Sequence, residues 1–364
     1  MIKAAIWGAG YIAATHAESL RGLGIPIHVV VDRNADKARD FAQRWGIPHW
    51  SQQPEELFSD QVGCVHLCTP PNLHYEMACR LLEAGKHILC EKPLCFSNTE
   101  ADTLARLARE KGLVCGVNFN VRFHQACQQA KKLVDSPDFG RVLLIHGSYL
   151  QEFSAPPSLR DWRYDPKLAG EMHAVTEIGS HWMDIAQYIS GKRITAVSAL
   201  FDRSYPIRYQ EGNLLYGEPA PGRELFPVQS EEAAMVNLRF QGGAIGSMVL
   251  SEISQGRYNA LSLEVTGEKQ NLWWNAEQNN LLCHARKGGT VESNVFAFGN
   301  GFTDTFRSLA AAFYEDVLQG KPSEHPVYPT FEDGRNNVLL SNAILASARQ
   351  DSKWVQVAQK EEEA

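Results

Sequence analysis

Over the first 120 positions, apolar residues come in short runs, separated by stretches where they recur every third or fourth residue. The runs Ala4-Ala5-Ile6-Trp7, Ile27 to Val31, Cys64 to Cys68, Lys86 to Cys90 and Leu113 to Val117 read as buried strands. The stretches between them read as helices. One follows Gly10 through about Leu20, one runs from Ala35 to Trp45 and is closed by Gly46, one from Leu73 to Ala84 with Gly85 as its C-cap, and one from about Asn98 to Lys111. Strands alternating with helices predict a parallel, doubly wound sheet, and residues 1–120 form one α/β domain on this reading.

After Asn118 the pattern changes. A helix near Phe123 to Val134 precedes a strand at Val142 to Tyr149, a loop rich in Pro, Asp and Trp, and a helix from Thr176 to Ile189. The segments Ile194 to Phe201, Ala233 to Phe240, Ala244 to Ser251, Leu261 to Val265, Asn271 to Trp274 and Asn280 to His284 then alternate as strands. Turns such as Gln241-Gly242-Gly243 and Gly267-Glu268-Lys269 join them, which predicts an antiparallel meander. The second domain, 121–364, is thus an α+β unit with a large, mostly antiparallel open sheet. Residues 203–229 form a long insertion, expected to be a lid or a contact loop. Helices near Asp304 to Leu318 and Phe331 to Ala348 follow, and the tail Lys360-Glu361-Glu362-Glu363 is expected to be a solvated, mobile end.

Composition narrows the partners. With 35 basic and 42 acidic residues the net charge is −7, and no basic block interrupts the balance. Nucleic acid and anionic membrane are excluded as partners on this basis. No apolar stretch approaches the length of a membrane span. The chain has eight cysteines, seven of them before residue 128, with no C-x-x-C pair. Reduced thiols of a cytoplasmic protein explain them better than disulfides or zinc.

The first strand leads into Gly8-Ala9-Gly10-Tyr11-Ile12-Ala13, a G-x-G-x-x-A turn. Gly8 allows the tight turn, Gly10 lets backbone approach a pyrophosphate, and Ala13 permits close helix–strand packing. The second strand ends in Asp32, placed to bind the ribose hydroxyls of a dinucleotide. A carboxylate there repels a 2′-phosphate, so NAD is the expected cofactor and NADP the less favoured one. Arg33 beside it either offsets that repulsion or covers the adenine face.

Two further places hold candidate chemistry. Glu91-Lys92-Pro93 closes the strand ending at Cys90. In a parallel sheet the carboxyl ends of strands are where ligands sit, although taken alone Lys92 reads first as a solvated lysine at a strand end. In the helix from Thr176, the spacing of Glu177, His181, Asp184 and Tyr188 puts them on one face, beside a stripe of Ile178, Trp182, Ile185 and Ile189. Carboxylates flanking a histidine suit a general base. By pattern alone a solvated polar face is the stronger reading, and no third soft ligand supports a metal.

Together these residues resemble the Gfo/Idh/MocA family of oxidoreductases, relatives of glucose–fructose oxidoreductase and inositol dehydrogenase. The match rests on the glycine turn, Thr69-Pro70-Pro71-Asn72-Leu73-His74, Glu91-Lys92-Pro93, Asn120-Val121-Arg122 and Glu177 to Asp184, and covers nearly the whole chain. It implies a Rossmann domain followed by a domain whose open sheet joins subunits into dimers or tetramers. It also implies that Lys92 and His181 act on the reacting hydroxyl, from different domains, with Glu177 in the place where the family usually has aspartate. The implied NAD-binding positions are Gly8, Gly10, Tyr11, Ile12, Asp32, Arg33, Thr69, Pro70, Asn72, His74, Glu91, Lys92, Asn120 and Arg163. Those implied for substrate are Lys92, Arg122, Trp162, Arg163, Asp184 and His181, with ordinary packing as plausible as ring stacking for Trp162. The family's Asn-Tyr-Arg is Asn120-Val121-Arg122 here, so a tyrosine contact is absent. The resemblance also implies a cis peptide before Pro93.

Tyr149-Leu150-Gln151 and Asp161-Trp162-Arg163 are similar to a subgroup acting on sugars and anhydrosugars. The expected activity is NAD-dependent dehydrogenation of a sugar, anhydrosugar or cyclic polyol. Glycoside cleavage through transient oxidation, and non-catalytic dinucleotide sensing, are the alternatives.

Overall fold

The computed structural model describes residues 2–299 and 301–358, so the acidic tail at 360–363 lies outside the described residues. In chain order the first elements are β1 (Ala4–Trp7), α1 (Tyr11–Gly22), β2 (Ile27–Val31), α2 (Ala35–Trp45), β3 (His49–Ser51), β4 (Cys64–Leu67), α3 (His74–Glu83), β5 (His87–Cys90), α4 (Asn98–Glu110) and β6 (Cys115–Val117). Next come α5 (Gln125–Asp135), β7 (Val142–Leu150), β8 (Ser158–Leu159), α6 (Pro166–Ala169), a π-turn (Val175–Gly179) and α7 (Ser180–Ser190). The strands β9 (Ile194–Asp202), β10 (Ile207–Glu211), β11 (Leu214–Tyr216), β12 (Glu224–Pro227), β13 (Ala233–Phe240) and β14 (Ile245–Ser251) follow. The chain closes with β15 (Ala260–Gly267), β16 (Gln270–Asn275), β17 (Leu281–Arg286), β18 (Glu292–Val295), α8 (Phe302–Gln319), α9 (Phe331–Ala348) and β19 (Val355–Gln356).

The chain divides into two units. The first runs to Phe123 and resumes up to Val338; the second begins at His124, breaks after Gly299 and resumes at Leu339. The boundary expected at residue 120 is close to the first break, but α8 and the opening turns of α9 belong with the first unit. The reason is in the pleat. Ala4, Ile6, Val30 and Leu89 face one side of the first sheet and pack with Ala13, Ala17 and Leu20 of α1 and Leu309, Phe313 and Val317 of α8. Ala5, Trp7, Val29, Val65 and Ile88 face the other side, with Leu104, Phe331 and Val338. Both faces of a parallel sheet need cover, and helical periodicity carries no record of which sheet a helix covers.

The sheet of the first unit has the order β3-β2-β1-β4-β5-β6, with every pair parallel. Its strand order reverses between β1 and β4, the kind of switch point where ligands bind outside the carboxyl ends. Gly8 follows β1, Asp32 follows β2, Thr69 lies just past β4, Glu91-Lys92 follow β5, and Asn118 follows β6.

The second unit holds a nine-stranded sheet of order β18-β17-β16-β15-β7-β14-β13-β9-β19. It is antiparallel except between β14 and β7, because β7 enters the middle and separates two meanders. The expected single meander is corrected accordingly. Residues 203–229 are likewise neither lid nor simple loop: β10, β11 and β12 pair with β8 in a four-stranded sheet. Its strands are three to five residues long apart from the two-residue β8, too short for their alternation to stand out from the turns.

Helices α5 and α7 pack against the nine-stranded sheet. The stripe Ile178, Trp182, Ile185 and Ile189 is buried, each side chain contributing about 1.5–3 kcal/mol. Trp182 Nε1 donates to the Ser262 carbonyl at 3.0 Å. A Cβ on Gly147 would lie 3.0 Å from that nitrogen and 2.0 Å from the same carbonyl, so only glycine permits the approach. Leu200, Met235 and Val249 are paired across β9, β13 and β14 and form an exposed row.

Candidate active site

After Trp7 the chain turns over Gly8, whose N–H donates to the Val31 carbonyl at 2.7 Å. Gly8 has φ of +105°, and a Cβ there would lie 2.8 Å from the Cys68 carbonyl oxygen; both facts demand glycine. Gly10 is different. Its φ of −83° is open to any residue, and a Cβ there would meet nothing within 4 Å. Packing of the chain does not require glycine at this position; close approach of a diphosphate does. Helix α1 starts at Tyr11 without a side-chain cap, so its first N–H groups and dipole favour an anion. Tyr11 is exposed and Ile12 half-buried in that turn.

Asp32 stands at the end of β2. Its Oδ2 accepts the Ala9 N–H at 2.8 Å and its Oδ1 the Asn34 N–H at 2.9 Å. The acid is therefore oriented by main chain, and the glycine turn is tied to it. Arg33 is exposed, with its carbonyl held by Gln52 Nε2 at 2.8 Å. Thr69 and Pro70 are half-buried and Asn72 exposed past the end of β4. These residues fit a dinucleotide whose adenosine ribose meets a carboxylate.

His74 has a different place from the one implied for it. It is fully buried, with Nδ1 2.8 Å from the Pro93 carbonyl and Nε2 2.8 Å from that of Thr69. Burial lowers its pKa despite these carbonyls, so a neutral ring donates to one of them at a time. It ties the Thr69 turn to the Lys92-Pro93 turn and does not present itself to a ligand.

Glu91 is buried and Lys92 half-buried at the end of β5, and the Lys92–Pro93 peptide is cis. Glu91 Oε1 accepts from His16 Nε2 at 2.8 Å and from Asn118 Nδ2 at 2.6 Å, and its Oε2 from the Lys92 N–H at 3.3 Å. Burial works to raise its pKa, but His16, Asn118 and Lys92 outweigh burial and hold it below the usual carboxylate range. Its role is thus inward: it anchors the turn from which Lys92 projects. Asn120 is buried with Nδ2 on Thr305 Oγ1 at 2.7 Å, and Arg122 is buried in an ion pair with Asp333 at 3.2 Å. Both shape the wall of this unit.

In the second unit, Glu177 lies in the π-turn before α7. Glu177, His181 and Tyr188 are half-buried, whereas Asp184 is 3% exposed. Asp184 is the most enclosed of the four residues on the expected face. Arg163 Nε donates to Glu177 Oε2 at 2.9 Å and its NH1 to Asp161 Oδ2 at 2.8 Å, with the guanidinium carbon 4.8 Å from the centre of the Trp162 ring. Burial works against the charge of Arg163, but Glu177 and Asp161 outweigh it and hold the pKa above its ordinary value.

Beneath this group lies a cluster that the sequence pattern did not mark. His173 Nε2 is 2.5 Å from Glu252 Oε2, and Glu231 Oε1 accepts the N–H groups of His173 at 3.0 Å and Val175 at 2.9 Å. Glu231 thereby satisfies donors at the start of the π-turn that carries Glu177. Burial opposes the charge on His173, but Glu252 dominates and raises its pKa to about 9; burial raises that of Glu231 to about 7. The partners lie 58 and 79 residues from His173 in sequence, beyond any local signal.

Residues 2–119 match the model of an oxidoreductase family with an NAD-binding Rossmann fold, and residues 127–273 match the GFO/IDH/MocA C-terminal domain. The chain is 31% identical to scyllo-inositol 2-dehydrogenase (NAD(+)) of Bacillus subtilis, over 88% of this chain and 87% of that protein. It belongs to the Gfo/Idh/MocA oxidoreductase family. Levoglucosan dehydrogenase of Pseudarthrobacter phenanthrenivorans is 29% identical over 97% of each chain. A solved structure of levoglucosan dehydrogenase in complex with NADH and levoglucosan superposes with a TM-score of 0.88 at 26% identity, covering 98% of this chain and 100% of that one. As a Gfo/Idh/MocA member the chain is an NAD-binding oxidoreductase, and the glycine turn and Asp32 are the parts of it that meet the requirements of that cofactor.

Proposed function

We propose that this Gfo/Idh/MocA protein oxidises a hydroxyl-bearing carbon of a cyclic sugar, anhydrosugar or polyol with NAD. The observation that carries the reading is at one sheet edge: the dinucleotide turn after β1, the ribose acid after β2 and the half-buried Lys92 after β5. The relatives named levoglucosan dehydrogenase and scyllo-inositol 2-dehydrogenase support the substrate class.

NAD, when bound, supplies the acceptor for the hydride that leaves the substrate carbon. The protein supplies the rest. The Lys92 ammonium donates to the reacting oxygen and stabilises negative charge as it develops there. The His181 imidazole accepts the hydroxyl proton, and Glu177 stabilises the resulting cation. Trp162, with Arg163 against its ring, offers an apolar face to a sugar, while Arg163 serves hydroxyl recognition. Arg122 and Asp184, both buried, are further groups for hydroxyl recognition.

Asp32 favours NAD over NADP by charge. The exposed row Leu200-Met235-Val249 fits a second copy of this chain, giving a dimer or a pair of dimers. Eight unpaired cysteines, six of them buried, support a cytoplasmic setting. Among the described residues no helix is long and apolar enough to cross a membrane.

The test is a panel of sugars, anhydrosugars and cyclic polyols assayed with NAD and with NADP by absorbance of the reduced nicotinamide. The expected result is NAD reduction on at least one class. Tight NAD binding with no reduction across the panel would refute the reading.

A further inference from the structure

Behind the Lys92 turn lies a chain of buried side chains that the proposed chemistry does not use. His16, in α1, places Nε2 2.8 Å from Glu91 Oε1 and Nδ1 2.8 Å from His66 Nδ1. His66, in β4, turns its Nε2 to the Tyr314 hydroxyl of α8 at 3.0 Å. His66 is wholly buried, and His16 and Tyr314 are 2% exposed. Tyr314 lies against the buried thiol of Cys64. The far end of the chain, at Cys64, is wholly buried.

Proton accounting fixes its direction at the useful end. An ionised Glu91 only accepts hydrogen bonds, so His16 Nε2 carries a proton. Burial and His16 push the pKa of His66 well down, leaving a neutral ring with one N–H. Two arrangements satisfy these constraints. Either His66 donates from Nδ1 to His16 and accepts the Tyr314 hydroxyl, or a doubly protonated His16 donates to His66, whose Nε2–H then points to Tyr314. In both, the Nε2–H of His16 is aimed at Glu91. His66 and Tyr314 hold the His16 ring as a third group holds the base of a catalytic triad.

Three buried polar side chains are a costly way to fill space that apolar groups would fill without penalty. What they secure is the Glu91 carboxylate, whose other oxygen accepts the Lys92 amide. We propose that His16 is a positioning residue: locked by His66 and Tyr314, it holds Glu91, and through it the Lys92 main chain, in the geometry that turnover needs. The inference rests on the reading of Lys92 given above.

The experiment compares H16Q with H16L. Glutamine offers an N–H to Glu91 and a carbonyl oxygen to His66; leucine offers neither. H16L is expected to lose kcat by about a hundredfold with NAD still bound, and H16Q to regain most of it. Amide hydrogen exchange at Lys92 is expected to quicken in H16L and to return toward the wild-type rate in H16Q. Exchange is read without turnover, so a wild type lacking activity would defeat the functional reading while leaving this one to be decided. Should H16L fail to fold, NMR of isotope-labelled histidine in the wild-type chain decides, with His16 Nε2 expected to be protonated. An unprotonated Nε2, wild-type exchange and kcat in H16L, or H16Q as impaired as H16L would each overturn the proposal.

Discussion

Arg163 Nε donates to Glu177 Oε2 at 2.9 Å while its NH1 holds Asp161 Oδ2 at 2.8 Å, so the acid four residues before His181 is shared with a guanidinium. A charge-assisted bond of this kind is worth about 1.5–3 kcal/mol. Arg163→Ala and Glu177→Ala should each lower kcat/KM by about ten- to a hundredfold. The double variant should lose less than the product of the two single losses, because both changes remove this shared bond. Kinetics on the four proteins of the cycle check this; fully additive losses would separate the two residues.

The two glycines of the dinucleotide turn should fail differently. Gly8→Ala puts a side chain at φ of +105° and 2.8 Å from a carbonyl oxygen, and should cost about 1–3 kcal/mol of stability. Gly10→Ala adds a Cβ with nothing within 4 Å and should leave the melting temperature nearly unchanged while weakening NAD binding. Calorimetry beside NAD titration distinguishes the two.

Asp32 orients the turn through Ala9 and Asn34 and, on the proposed reading, also meets the ribose. Asp32→Asn keeps an acceptor oxygen and removes the charge. NAD affinity should fall about tenfold and the preference over NADP should narrow. Dissociation constants for both cofactors measure it; an unchanged ratio would place selectivity elsewhere.

Buried groups should make stability depend on pH, with opposing contributions below neutrality and a loss above it. Burial lowers the pKa of His124 to about 4 from 6.5. This contribution is therefore present above 6.5 and lost as pH falls through 4, up to about 3 kcal/mol. Glu231, raised to about 7 from 4.5, opposes His124 over this range, and both it and His173, raised to about 9 from 6.5, stabilise the fold when protonated. Glu231 loses its contribution as pH rises from 4.5 through 7, and His173 loses its own from 6.5 through 9. Denaturant midpoints across pH in wild type and His124→Phe test the acid side, where the variant should lose less stability than the wild type.

The first unit was legible where a local pattern carries its own cause. Five parallel strands show as apolar runs, and the turn shows because Gly8 and Gly10 are each required by a neighbouring atom or a ligand. What escaped depends on pairs distant in sequence. His66 and Tyr314 meet across 248 residues, and no periodicity links them. Helix α8 reads as amphipathic without naming the sheet it covers. Strand β7 looks like its antiparallel neighbours, although it enters the sheet beside β14 in parallel. At Glu177 the ideal helical spacing is broken by a π-turn, where Thr176 Oγ1 bonds back to the carbonyls of Met172 and His173; that competition with regular helix bonding was the one local hint. Asp184, regular in spacing, is buried with the rest of α7, which is partly exposed at His181 and Tyr188 alone.

The proposed role of Lys92, stabilising the reacting oxygen of a sugar or polyol on an NAD-binding unit, is put to the test by Lys92→Met. NAD affinity and turnover would be measured on the same preparation, with a substrate the wild type oxidises. NAD binding should stay close to wild type and kcat should fall by about 10²–10⁴. Wild-type kcat in Lys92→Met on that substrate would contradict it.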